Sequence, residues 1–204
     1  MLSSQCGVRC LRRGLRGWRR VFPGEIRDLV VSASYDGGLT FAESVRVHDD
    51  DWKLKGCPDC GPTLAESRGA LCIAWMTEGK DEHPRIELAR SDDGAKTFGH
   101  PFDVTGEILD LDYPAMRTAD DGTLWLAFQG RAQTTNGNWS KTQAYIVQIN
   151  PGGVASKPIP VPGSENSIAY PTIGLGSAGR LFLAWTQPQG DPLEAMLSRG
   201  RTGS

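Results

Sequence analysis

The sequence predicts an all-β protein built as a β-propeller, and three features carry that expectation. An octapeptide of turn formers occurs twice, as Ser34-Tyr35-Asp36-Gly37-Gly38-Leu39-Thr40-Phe41 and Ser91-Asp92-Asp93-Gly94-Ala95-Lys96-Thr97-Phe98, in register and 57 residues apart. A glycine leading into alternating apolar residues and an aromatic occurs three times, at Gly69 to Trp75, Gly122 to Phe128 and Gly179 to Trp185. The 25 Gly and 13 Pro among 204 residues are many for a helical fold and suit short strands joined by turns.

Taken in order, the aromatics set a period: 57 residues from Trp18 to Trp75, 53 to Phe128 and 57 to Trp185. Repeats of roughly 50 residues mean a propeller, a solenoid or an array. One period reads as an inner strand near 62–66, opened by Gly61-Pro62-Thr63, then the glycine turn, a second strand at 71–77, a loop and a third strand at 85–91. The octapeptide turn and an outer strand at 101–105 complete it. Four antiparallel strands per period make a propeller blade. The chain is expected to enter at a second strand near Trp18, pass through full blades at 62–105 and 113–161, and stop inside a further unit, about three blades' worth of strand. The third unit's octapeptide has decayed to Asn150-Pro151-Gly152-Gly153. Residues 1–17 are expected to be a basic, disordered segment and 18–204 a partial propeller. An open arc leaves strand edges uncovered, so self-association that covers them is an expected mode of partnership.

In the octapeptide, an Asp side chain caps backbone N–H groups, glycines take positive φ, and the final aromatic folds back toward the core. Ser34, Asp36, Gly38, Thr40 and Phe41, and Ser91, Asp93, Gly94, Thr97 and Phe98, are therefore expected to be structural. The pattern resembles the Asp box, or BNR repeat, of the sialidase (neuraminidase) superfamily, S-x-D-x-G-x-T-[WF]. From about Trp18 onward, Val21 to Asp28 and Asp51 to Pro58 also look like bacterial exo-α-sialidase-like proteins. The resemblance implies a six-bladed ring of which this chain holds about half, and a glycosidase acting on sialic-acid-type glycans. The alternative is a non-catalytic propeller module that binds glycan or protein.

Such a sialidase needs three arginines converging on the sugar carboxylate, a Tyr activated by a Glu, and an Asp as acid/base. The family's first arginine stands in an Arg-Ile-Pro motif. Here Arg85-Ile86 is followed by Glu87, so the set is incomplete and the 204 residues alone are expected to be inactive.

Blade topology puts the Asp boxes and glycine turns at one face, so ligand chemistry is expected from the opposite loops: 19–28, 48–61, 77–84, 106–113, 129–141, 162–170 and 186–192. Arg19, Arg20 and Arg27 are candidates to grip a carboxylate in a guanidinium fork. Glu25, Asp28, Asp49, Asp50, Asp51, Asp110 and Asp112 are candidate acids or bases, Tyr113 and Tyr170 candidate nucleophiles, and Trp52 and Trp139 candidate stacking platforms. Of these, Glu25, Arg27 and Asp28 are the favoured catalytic candidates, because one loop carries a cation and two acids, and Arg27, Asp51, Trp52 and Tyr113 the favoured ligand contacts. The plain alternative for each is a solvated loop charge or a packing residue.

Charge and cysteines bound the remainder. Six Arg and no acid fall in residues 1–20, leaving 16 basic against 24 acidic residues beyond, an acidic body unsuited to nucleic acid. No apolar run approaches the roughly 20 residues of a membrane span. The Arg-rich start superficially fits a transit peptide, but a ragged fragment end or a mis-set start fits better. The family is usually secreted or periplasmic, while this chain shows no signal peptide, which leaves localisation open. Cysteines stand at 6, 10, 57, 60 and 72. Cys57-Pro58-Asp59-Cys60 reads as a loop whose thiols pack or bridge locally, with a zinc site completed by Cys6 and Cys10, or a redox pair, as alternatives. The pattern calls for no cofactor and no metal, and for a carbohydrate ligand.

Overall fold

The computed structural model describes residues 9–10, 13–54, 56, 59–187 and 194–201. Among the described residues every regular element is a strand, and no helix is long and apolar enough to cross a membrane. The chain divides into two compact units, Met1–Asp103 and Val104–Ser204, each containing two antiparallel sheets.

In the first unit, β1 (Arg9–Cys10), β2 (Arg13–Phe22), β3 (Ile26–Ser34) and β4 (Val45–Arg46) form one four-stranded sheet. β5 (Thr63–Ser67), β6 (Ala70–Thr77), β7 (Arg85–Ser91) and β8 (Phe102–Asp103) form the next. Each sheet is an up-and-down meander in which sequence neighbours pair, the organisation of a propeller blade. The facing sides meet in one core of Leu15, Leu29, Val31, Leu64, Leu71, Ile73 and Trp75. Gly17 lies at the closest approach: a Cβ at this position would stand 3.1 Å from Leu64 Cδ1 and 3.4 Å from Ile73 Cδ1, so any larger residue would push those side chains back by a few tenths of an ångström.

β2 begins at Arg13, five residues before Trp18, which corrects the expected boundary of the basic segment. Residues 13–17 belong to the sheet because Leu15 is buried in the core and Gly17 lies against β5 and β6.

In the second unit, β9 (Leu109–Thr118), β10 (Leu124–Arg131), β11 (Gln143–Ile149) and β12 (Ile159–Pro160) form a third blade. β13 (Ala169–Gly176), β14 (Arg180–Gln187) and β15 (Glu194–Arg201) form a three-stranded sheet. Their core is Ala127, Ile146, Val161, Ile168, Ile173, Leu183 and Trp185. As the period requires, Trp75, Phe128 and Trp185 are all buried on second strands, with Leu71 and Ile73, Leu124 and Leu126, and Leu181 and Leu183 buried two and four residues earlier.

Both octapeptides form the expected turn between third and fourth strands. In the first, Asp36 Oδ1 accepts hydrogen bonds from Ser34 Oγ (2.8 Å) and the Thr40 amide (2.9 Å), Oδ2 accepts from the Thr40 hydroxyl (2.5 Å), and the Gly38 amide donates to Ser34 Oγ (2.8 Å). In the second, Asp93 Oδ1 accepts from Ser91 Oγ (2.9 Å) and from the amides of Lys96 and Thr97, Oδ2 from the Thr97 hydroxyl (2.6 Å), and the Ala95 amide donates to Ser91 Oγ. Phe98 packs against the core, whereas Phe41 is half-buried beneath the Arg16 guanidinium, 3.8 Å from its ring centre.

Candidate functional site

β3 and β7 run into the octapeptide turns at their C-terminal ends, so their first residues lie at the other end of each sheet. There the β2–β3 turn, the chain following β4 and the β6–β7 connection enclose a cleft of about 850 Å³, lined by Ile26, Asp51, Trp52, Lys53, Glu78, Gly79, Lys80 and Glu82. Its chemistry is three carboxylates and two ammonium groups around an indole.

Backbone pairing builds the wall. The Arg27 amide donates to the Trp52 carbonyl (2.8 Å), Leu54 N–H to Glu25 O (3.4 Å), and Ile26 bridges Lys53, so residues 52–54 lie as a short added strand along the start of β3. Glu25 (φ 63°) and Asp51 (φ 54°) both occupy the left-handed region, where a non-glycine residue is strained and which is enriched at ligand sites.

The favoured candidates fall into place unequally. Arg27 does not line the cleft; its guanidinium donates to the Leu54 carbonyl (3.2 Å) and to Glu25 Oε2 (3.3 Å). Asp28 points to the other face of β3. It is fully buried and paired with Arg46, and burial pushes its carboxyl above the ordinary range in spite of that pairing. Arg46 also reaches Asp49 (2.8 Å) and Asp51 (3.5 Å) and lies over the Phe22 ring, gathering three of the candidate acids onto one guanidinium. Trp52 is only 3% exposed: its Nε1 donates to Glu78 Oε2 (3.2 Å), and the Arg19 guanidinium stands 4.6 Å from its ring centre. It therefore forms the floor of the cleft and offers no open stacking face. Arg19 itself donates to the carbonyls of Arg27 and Met76.

Other candidates gather in the second unit. Tyr113 (φ 51°) and Tyr170 (φ 55°) each precede a proline, and each sits at a break in the register of its first strand. A pre-proline residue in a left-handed conformation is held there against its preference. The two rings lie 4.6 Å apart and tilted by 58°, with Tyr170 58% exposed. The Tyr170 amide donates to Gln129 Oε1 (3.2 Å), and Arg131 pairs with Asp110 (3.0 Å). Trp139, on the β10–β11 loop, is exposed.

Cys60 and Cys72 are buried, and burial pushes the Cys72 thiol up to about 11, the behaviour of an inert packed cysteine. Cys6, Cys57 and the Cys10 side chain lie outside the described residues.

Sequence reasoning passed over Arg46, Lys53, Glu78, Lys80 and Glu82. Blade topology assigns the loop 77–84 to the ligand face, but its charges carry no motif. Arg46 had one available signal, its position just before the run Asp49-Asp50-Asp51.

Neither a protein-family model nor a curated protein matches the chain. Solved structures do. A Hadza microbial sialidase aligns with a TM-score of 0.68 at 20% identity, over 96% of this chain and 44% of its own. A Dyadobacter fermentans protein of unknown function aligns at 0.66 and 13% identity over 97% and 60%. An endo-arabinase from Bacteroides thetaiotaomicron aligns at 0.60 and 15% over 98% and 75%. The chain thus spans less than half the length of the sialidase it is similar to, and at these identities the likeness establishes the fold: a partial β-propeller.

Proposed function

We propose that this chain supplies a glycan-binding cleft to a sialidase-like propeller, an exo-glycosidase of sialic-acid-type glycans in its full-length form, and that the 204 residues alone bind without hydrolysing. The observation that carries the reading is the charged cleft of the first unit, with Lys53 and Lys80 able to meet a sugar carboxylate and Asp51, Glu78 and Glu82 able to accept from sugar hydroxyls. The fold shared with a sialidase and an endo-arabinase supports a carbohydrate ligand. The alternative, a non-catalytic glycan- or protein-binding module, is favoured by one specific observation: Asp28 is buried and Arg27 is held by a backbone carbonyl and Glu25, which suits a fixed scaffold better than a reacting group.

Titration calorimetry with sialyllactose and lactose, beside turnover of a fluorogenic sialoside, tests both readings. Preference for sialyllactose that falls at least about tenfold in a Lys53→Ala, Lys80→Ala variant, with no turnover, is the expected result. Equal affinity for the two sugars would remove the acidic-sugar reading. Rapid turnover by these 204 residues would show that the reacting groups are already assembled.

A further inference from the structure

Away from that cleft, the first unit brings together three side chains that no motif connects. His48 and Asp50 lie on the chain leaving β4, and Glu87 lies in the middle of β7, opposite Trp75 on β6. One ring nitrogen of His48 and one carboxylate oxygen from each acid lie within 4.8 Å of one another. His48 Nδ1 is 2.8 Å from Asp50 Oδ1, and Asp50 Oδ2 accepts from the buried Trp75 Nε1 at 2.7 Å, which fixes the carboxylate's rotation. Arg85 donates to Glu87 Oε1 (2.8 Å) and also pairs with Asp81, so Glu87 is oriented as well.

One atom is unaccounted for. Glu87 is only 8% exposed, and its Oε2 is buried with no hydrogen-bond partner among the described residues. A buried carboxylate oxygen left unpaired is costly, and a second carboxylate nearby adds repulsion. A cation between the two acids relieves both penalties at once. The imidazole, about one-third exposed, completes a nitrogen donor and provides the way in from solvent.

We propose that His48, Asp50 and Glu87 form a binding site for a single zinc-type divalent ion, outside the glycan cleft. One imidazole and two carboxylates are a donor set for zinc, whereas calcium and magnesium prefer all-oxygen shells. Three protein ligands leave a fourth position for water. The Trp75 and Arg85 bonds are the outer contacts that orient ligating carboxylates. The ligand atoms must draw together from their present spacing, a movement assigned to His48, the most exposed of the three, whose ring also lies 5.5 Å from that of His100. Bound here, the ion ties the connection after β4 to the middle of β7, joining two successive blades.

The test uses the full chain stripped with chelator and titrated with zinc chloride by calorimetry, with calcium and magnesium as comparisons. Expected are one zinc per chain, a raised melting temperature because only the folded state holds the site, and loss of affinity by at least about tenfold in Glu87→Gln and in His48→Ala. A variant with all five cysteines changed to serine must keep the zinc, and cobalt substituted for zinc must show ligand-field absorption without intense thiolate charge-transfer bands. If the serine variant fails to fold, the cobalt spectrum of the unaltered chain decides the ligand type. Failure to bind zinc, retention of zinc by Glu87→Gln, or a thiolate spectrum would overturn the assignment. None of these readouts depends on sugar binding, so the site and the glycan reading stand or fall separately.

Discussion

The third-to-fourth strand turns of the first two blades and that of the third solve one problem with different chemistry. In the first two, a carboxylate at Asp36 or Asp93 collects a serine hydroxyl, backbone amides and a threonine hydroxyl. In the third, Asn150 stands where the Asp would be, and its Oδ1 still accepts from the amide four residues on, Val154, at 3.0 Å. Gly153 has a positive φ of 88°, one position later than in the first two turns, and the Asn150 carbonyl accepts from its amide. The geometry therefore tolerates a neutral cap, and what the carboxylate adds is a second oxygen for the hydroxyls. The decayed sequence builds a related turn one residue shorter, closed by Ser156 N–H on the Gln148 carbonyl where the first two use Ala42 on Ala33 and Gly99 on Arg90.

The largest effect that would sharpen this contrast is at the serines. Ser34 and Ser91 are buried, and each both donates to the Asp and accepts a backbone amide. Ser34→Ala and Ser91→Ala should each destabilise the first unit by about 1–3 kcal/mol through the orphaned amide. Urea unfolding measures this, and a loss below the error of the method would mean that water replaces the hydroxyl.

Next comes acid. The Thr40 hydroxyl, and then the Thr40 amide, hold the Asp36 carboxyl well below the ordinary range; the Thr97 hydroxyl and amide do the same for Asp93. A group with a depressed folded pKa contributes stability above its unfolded value, roughly 3.9, and loses that contribution as pH falls. The melting temperature should therefore drop below about pH 4, and Asp36→Asn with Asp93→Asn should lower it at neutral pH while flattening part of the acid limb. An unchanged acid limb in the double variant would place the titration elsewhere.

Smaller still is Asn150→Ala. Val154 is exposed and the turn is open to water, so the cost should stay below about 1 kcal/mol in the same unfolding assay. A cost as large as that at Ser91 would erase the contrast between the two kinds of turn.

The smallest expected effect is at Ala95, which stands where the first turn has Gly38. Ala95 has φ 72° and Gly38 φ 97°. Relieving a left-handed alanine gains about 1–2 kcal/mol. Removing its buried methyl loses about 0.8 kcal/mol, and the glycine's added freedom in the unfolded chain loses roughly 0.5–1 more. Ala95→Gly should thus move stability by less than about 0.8 kcal/mol in either direction, and a larger gain would mean the methyl is poorly packed.

These turns were legible in the sequence because their chemistry is local: donor and acceptor lie within four residues, and the repeat displays the pattern twice. The blade register was legible for the same reason. The cleft was not, because its walls come from three loops joined only by folding. Asp28 shows where parity fails. Counting alternate residues assigns faces when one side of a strand is wet, but β3 is buried on both faces from Asp28 to Ser34, so nothing in the sequence said that this acid turned inward to Arg46. Trp52, flanked by charges, reads as an exposed sugar platform, and only the fold reveals Arg19 and Glu78 closing over it. His48, Asp50 and Glu87 had no spacing to betray them.

Each sheet is made from one unbroken stretch of chain, with every strand hydrogen-bonded to its sequence neighbour. No strand must wait for a distant segment to be synthesised before it can pair. Most of the ordering entropy is then offset hairpin by hairpin, a regime of short loop closures and rapid assembly. Such a chain can begin to fold while still emerging from the ribosome, adding a blade about every fifty residues, and an insertion between blades disturbs only the seams on either side of it.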